Sequence, residues 1–169
     1  MHTKMKKTLY HPFSPIFDSN SRVLILGTFP SVKSRENDFY YGHKRNRFWE
    51  VIGSITKSFA PNTISEKTEL LLKNKIALWD VLKSCKITGS QDSSIEDEIP
   101  NDLTEIMLKS NIKAVFANGS TAFKLYMKYN GGYNLPVYCL PSTSPANAKF
   151  KLENLTEMWK IILNYTLFG

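Results

Sequence analysis

Cysteine is scarce in this chain, and the two present, Cys85 and Cys139, lie far apart with no His or Cys at ligand spacing from either. Neither a structural zinc site nor an iron–sulfur cluster can be assembled from such a pair, so the chemistry expected is free of metal and cofactor. Glycine-rich phosphate loops are missing too. Neither GxGxxG nor GxxxxGK followed by Ser or Thr occurs, which counts against dinucleotide cofactors and NTP hydrolysis. The histidines His2, His11 and His43 all fall in the N-terminal quarter, beside no recognisable nucleophile and without a GxSxG elbow, so a Ser-His-Asp hydrolase is disfavoured. No apolar run approaches membrane-spanning length, and the N-terminal MHTKMKKTLYHPFSPIF lacks the apolar stretch and cleavage site of a signal peptide. A cytoplasmic protein with no membrane association is expected.

What the chain does have is an ordinary globular composition, 42% hydrophobic and 22% charged over 169 residues, enough for one domain spanning 1–169 and too little for two comfortable ones. A monomer is the expected state. Lys and Arg total 22 against 15 Asp and Glu, and the resulting +7 charge favours an anionic partner, although many soluble proteins are this basic without one.

Residues 1–21 read as an irregular lead-in, because Pro12 and Pro15 forbid a regular helix and Asp18-Ser19-Asn20-Ser21 marks a turn. His11, Phe13 and Phe17 are expected to pack across a sheet edge. Val23-Leu24-Ile25-Leu26 is a continuous apolar run of strand length, the signature of a strand covered on both faces, and Gly27 and Pro30 stop it. Phe48, Trp49, Val51, Ile52 and Ile55 follow at helical spacing, which sets Asn46 and Arg47 near a helix N-terminus, where backbone N–H groups face an anion. Ser65 precedes a second amphipathic segment, with Glu66 and Glu69 in its first turns.

Ile76 to Leu82 is a second strand-length run with one carboxylate, Asp80, in it, and Ser90 to Pro100 reads as a polar surface loop. A short helix is expected from about Asn101 to Lys109. Ile112 to Ala117 forms a third strand ending in Asn118-Gly119-Ser120, and Pro136 to Leu140 a fourth, stopped by Pro141 to Asn147. A last helical face runs through Leu155, Met158, Trp159 and Ile162. Strands alternating with helices predict a three-layer α/β/α domain around a mainly parallel four-stranded sheet. The four strand exits, Gly27 to Ser31, Asp80 to Ser84, Asn118 to Ser120 and Pro141 to Asn147, then share one edge of the sheet, where such folds carry their chemistry.

The first exit leads into Phe39-Tyr40-Tyr41 and then Gly42-His43-Lys44-Arg45-Asn46-Arg47. Aromatic faces stack on bases, Lys and Arg neutralise phosphates, and an amide holds a water or a base edge. Taken singly, these residues have plainer readings. Asn46 caps a helix, Asp80 is a buried hydrogen-bond partner, Ser142 and Thr143 form a turn, and the basic run is a solvated face.

As a set, GTFPS, YYGHKRNRFW, ALWDVL, FANGSTAF and LPSTSPANA resemble the hypoxanthine-DNA glycosylase family of the uracil-DNA glycosylase superfamily, in order from about Val23 to Ala148. The N-R-F-W block is also similar to that of the mismatch-specific uracil and thymine glycosylases. Those relatives carry an activating Asn or Asp in the first strand exit where this chain has Phe29. The resemblance therefore implies that the catalytic amide is Asn46. It implies a base-binding set of Phe29, Tyr41, Asp80 and Asn118, with Tyr41 in the place of the aromatic that stacks on a flipped base and Asp80 near a residue that reads the base edge. It implies a DNA-binding set of Ser31, Lys44, Arg45, Arg47, Ser142, Thr143, Ser144 and Pro145. Leu140-Pro141-Ser142 stands where relatives often have His-Pro-Ser, so the histidine of that motif is missing. The expected partner is damaged DNA, and the expected reaction is hydrolysis of the N-glycosidic bond of deoxyinosine by a monofunctional enzyme. Three alternatives stay open: a glycosylase for uracil or another deaminated base, a non-catalytic DNA-binding module, and a small-molecule hydrolase of flavodoxin-like shape.

Overall fold

A computed structural model of the chain describes residues 6–167; the first five residues of the lead-in, His2 among them, lie outside the described residues. At the centre is a parallel sheet of four strands in the order β3-β2-β6-β7, comprising β2 (Val23–Gly27), β3 (Ile76–Asp80), β6 (Ala114–Asn118) and β7 (Val137–Leu140). The apolar runs form the inner strands because both faces of the sheet are covered. Val23, Leu24, Ile25 and Leu26 have no solvent exposure at all. Their side chains alternate between two cores. Val23 and Ile25 pack with α2 (Phe48–Ile55), α3 (Ile64–Lys73) and α6 (Leu152–Trp159), through Ile52, Leu71 and Trp159. Leu24 and Leu26 pack on the opposite side with Ile106 of α4 (Thr104–Lys109) and Tyr126 of α5 (Ser120–Asn130). This is the expected three-layer α/β/α arrangement.

A second sheet departs from expectation. Three antiparallel strands, β1 (Thr8–Tyr10), β4 (Leu82–Lys86) and β5 (Glu96–Pro100), form it in the order β1-β4-β5. Part of the lead-in is therefore a strand, the second strand exit continues directly into β4, and the predicted surface loop holds a 3-10 turn at Asp92–Ser94 followed by β5. β5 reads as loop because it is an edge strand with charges facing water and an irregular register, and Asp97 adopts φ 50. The crossing from one sheet to the other is stapled by Asn101, whose amide donates to the carbonyls of Asp80 at 2.9 Å and Leu82 at 3.1 Å. Smaller differences concern helix ends. Thr63, not Ser65, caps α3, α4 starts at Thr104, and the C-terminal segment breaks into a 3-10 turn at Lys160–Ile162 before α7 (Leu163–Thr166). Among the described residues, no helix is long and apolar enough to cross a membrane.

Candidate active site

The carboxyl ends of β2, β3, β6 and β7 open into a cleft of about 820 Å³, lined by residues of all four exits and by the loop before α2. Register sets its base. Gly27 pairs with Asp80 across β2 and β3, and Asn118 pairs with Leu140 across β6 and β7. Gly27 is required by close approach: a Cβ there would lie 2.4 Å from Asp80 Oδ1 and 3.0 Å from the Tyr41 hydroxyl. The missing side chain is the space that the carboxylate and the phenol occupy.

From Gly27 the chain passes through Thr28 and Phe29 into the short helix α1 (Val32–Glu36), capped by the Ser31 hydroxyl, which accepts from Ser34 N–H at 3.1 Å. The loop that follows is held by hydrogen bonds between side chains and backbone. Trp49 Nε1 donates to Tyr40 O at 3.0 Å, Tyr40 Oη donates to Ser14 O at 2.8 Å, and Gly42 N–H donates to Ser34 Oγ at 3.0 Å. Tyr41 is held at φ 55, an unfavourable region for a side-chain-bearing residue, and its ring stacks on Phe48 with centroids 4.0 Å apart. Its hydroxyl is buried and makes no hydrogen bond of ordinary geometry among the described residues, although the Asn118 side chain is near enough to ease the rise of its pKa. Burial, and then the Asp80 charge, push the Tyr40 and Tyr41 phenols far above the ordinary tyrosine range, so both are neutral.

Asn46 lies at the start of α2 in a network whose polarity is fixed at both ends. Its Oδ1 accepts from Phe48 N–H at 2.9 Å and from the Thr143 hydroxyl at 2.9 Å. Thr143 Oγ1 in turn accepts from Asn118 Nδ2 at 3.0 Å, and Thr143 N–H donates to Asn118 Oδ1 at 3.0 Å. Backbone N–H groups can only donate, so neither amide can be turned over without breaking its bond. The Asn46 NH2 group, bonded to no other described residue, is consequently the end presented to the cleft.

Two residues of the expected DNA-binding set, Thr143 and Arg47, hydrogen-bond within the protein. Thr143 is fully buried and joins the two amides. The Arg47 guanidinium binds the carbonyls of Phe150, of Ser144 at 2.9 Å and of Asn147 at 3.1 Å, and Arg47 N–H donates to Thr143 O at 3.1 Å. Arg47 thus ties the 142–150 loop to the start of α2. Within that loop the Ser142 hydroxyl accepts from Ser144 N–H and the Ser144 hydroxyl from Ala146 N–H, a sequence of small turns. Ser31, Ser142 and Ser144 line the cleft; Pro145 does not. Lys44 and Arg45 are exposed, with no ion pair among the described residues. Phe29 lies on the cleft wall between the Arg35 guanidinium, 5.8 Å from its ring, and the edge of His11.

Two residues that sequence patterns did not place here, Asp92 and His11, reach the cleft or its base. Asp92 lines the cleft from the 3-10 turn and accepts from the Thr28 hydroxyl at 3.4 Å. Its carboxyl is raised above the ordinary range by burial, with the Asp80 charge adding and the Thr28 and Thr121 hydroxyls opposing. Thr28 itself is buried. His11 reaches in from the lead-in to meet Asp80, Nε2 to Oδ2, at 2.7 Å. One signal was available for it, since a carboxylate inside an apolar strand demands a donor.

The model of the uracil DNA glycosylase superfamily matches residues 14–163. A Methanosarcina acetivorans protein named hypoxanthine DNA glycosylase is 34% identical over 156 residues, covering 90% of this chain and 97% of that protein. A protein of the same name from Methanosarcina barkeri is 38% identical over 109 residues, covering 63% and 69%. A solution NMR structure of a candidate uracil DNA glycosylase from M. acetivorans superposes with a TM-score of 0.79 at 32% identity, covering 92% of this chain and 96% of that one.

Proposed function

The chain belongs to the uracil DNA glycosylase superfamily, and on that premise we propose that it removes hypoxanthine from deoxyinosine in DNA, hydrolysing the N-glycosidic bond and leaving an abasic site. The observation that carries the mechanism is the fixed polarity of Asn46. Breaking a glycosidic bond puts positive charge on the sugar and negative charge on the departing base, so a pre-aimed donor lowers the barrier without having to reorganise. The Asn46 NH2 is such a donor. Its carbonyl oxygen, already accepting two hydrogen bonds, is not available to draw a proton from water.

The target base must first leave the helical stack, and the cleft offers a flipped base the aromatic rings of Phe29 and Tyr41. Asp80 supplies an acceptor at the end of β3 and Asn46 a donor from the loop before α2. Lys44 and Arg45 on the loop tip, with the Ser142 to Pro145 ledge, are the proposed contacts to backbone phosphates. Damaged DNA is the partner, and the enzyme acts as a monomer inside the cell. Lys149 is the lysine among the described residues that lines the cleft; the proposed reaction is monofunctional and ends at the abasic site. The test is a panel of duplexes carrying one deoxyinosine, one deoxyuridine or one deoxyxanthosine, incubated with pure protein and treated with alkali. Cleavage at deoxyinosine is expected; no alkali-labile site in any duplex refutes the proposal.

A further inference from the structure

His11 takes no part in the reaction just described, yet it decides what Asp80 can do. The imidazole is boxed by the rings of Phe13, Phe29, Tyr40 and Trp79, with centroids 5.6 to 6.2 Å away. Its Nδ1 accepts from Phe13 N–H at 3.1 Å. Because a backbone amide only donates, Nδ1 must carry a lone pair and the ring proton must sit on Nε2. Nε2–H therefore donates to Asp80 Oδ2 at 2.7 Å, between side chains that are 2% and 5% exposed. The other carboxylate oxygen, Oδ1, lies over Gly27 at the base of the cleft, and no donor among the described residues meets it.

We propose that His11 is a specificity-positioning residue: through Nε2–H it holds Asp80 as an obligate acceptor for the ring N–H of a lactam edge, the edge that deamination creates on a base. This rests on the glycosylase reading of the cleft and extends it from cleavage to selection. Replacing the C6 amine of adenine by a carbonyl turns N1 from a lone-pair acceptor into an N–H donor, and N3 of cytosine changes in the same way on becoming uracil. A fixed carboxylate oxygen pairs with either deaminated edge. Against adenine it sets lone pair against lone pair, and the mismatched polar groups are left unpaired in a buried site. An aspartate free to rotate could turn away; one clamped by a tautomer-locked histidine cannot.

Asp80→Asn tests this with almost no change of shape. Nε2–H still requires an acceptor, so the new amide gives its carbonyl oxygen to His11 and turns its NH2 to the cleft, reversing polarity at the base. Duplexes carrying deoxyinosine and deoxynebularine, a purine with an unprotonated N1 and no 6-substituent, are compared under single-turnover conditions. The ratio of the two rates is expected to move about 100-fold toward deoxynebularine in Asp80→Asn, the size of one good base-edge contact. In the double variant with His11→Leu the amide is free to flip, and the shift is expected to collapse toward parity. Where turnover is too slow to follow, the same ratio is read from binding to duplexes with a 2′-fluoro group on the lesion sugar. An unmoved ratio in Asp80→Asn, or a double variant that behaves as the single one, overturns the proposal. Wild-type protein that cleaves no deaminated base refutes the glycosylase reading instead, a result distinct from cleavage with unmoved selectivity.

Discussion

Gly27→Ala is a one-carbon change whose cost can be worked out from the geometry. The new methyl would stand 2.4 Å from Asp80 Oδ1, well inside the 3.0 Å floor of such contacts, and 3.0 Å from the Tyr41 hydroxyl. β2 cannot yield, because it is hydrogen-bonded on both sides and its preceding residues are fully buried. The carboxylate must rotate, which breaks the 2.7 Å bond from His11 in a site nearly closed to solvent. A buried hydrogen bond to a charged group is worth ~1.5–3 kcal/mol, to which some steric strain adds. We expect a loss of ~2–4 kcal/mol in unfolding free energy and, for a domain of this size, a fall in Tm of roughly 5–12 °C. Urea unfolding followed by circular dichroism measures the first and a thermal scan the second. Because the closer of the two contacts is with Asp80, the penalty should shrink strongly in an Asp80→Ala background, a coupling that a double-mutant cycle reads directly. Wild-type stability for Gly27→Ala, or a penalty unchanged when Asp80 is removed, would refute the packing argument.

Other perturbations follow from the same geometry. Thr143→Val keeps the shape but removes the hydroxyl that joins Asn118 to Asn46; we expect ~1–3 kcal/mol lost in urea unfolding and slower base release with little change in duplex affinity. Arg47→Met releases three loop carbonyls at once, and limited proteolysis should then cut within 142–150 faster than in the wild type, whereas an unaltered digestion pattern would argue for a free, phosphate-facing arginine. Tyr41→Phe removes a buried hydroxyl that makes no hydrogen bond of ordinary geometry among the described residues, so thermal stability should hold or rise; a marked fall in Tm would show that the nearby Asn118 side chain satisfies it.

The apolar runs of β2, β3 and β6 were legible because strands buried on both faces read as unbroken hydrophobic stretches. The helical spacing from Phe48 was equally plain, and so was the clustering of the four strand exits. β1, β4 and β5 were not. A short edge strand such as Glu96–Pro100 has one face in water, so its sequence carries the charge of a loop, and β1 forms only because β4 offers it an unpaired edge. Asp80 and Asn118 were singled out at strand ends, and Asn46 by the resemblance of its N-R-F-W block; the structure brings all three to one cleft. Their polarity was not legible, because it depends on Phe48 N–H, Thr143 and the Phe13 amide behind His11, contacts that join residues from 2 to 97 positions apart. The inward hydrogen bonds of Arg47 and Thr143 were not legible either, because their partners lie about a hundred residues away along the chain.

The central claim is that Asn46 works as a hydrogen-bond donor to the departing base and not as an activator of water. Asn46→Asp separates the two, since the carboxylate can still accept from Phe48 N–H and Thr143 but has no NH2 to offer. Single-turnover release of hypoxanthine from a deoxyinosine duplex, measured for the wild type, Asn46→Asp and Asn46→Ala, is the decisive comparison. Both variants are predicted to be slower by about 10²–10³-fold, as for the loss of one pre-aimed donor, with duplex affinity retained in Asn46→Ala. A rate for Asn46→Asp equal to or above that of the wild type would contradict the claim.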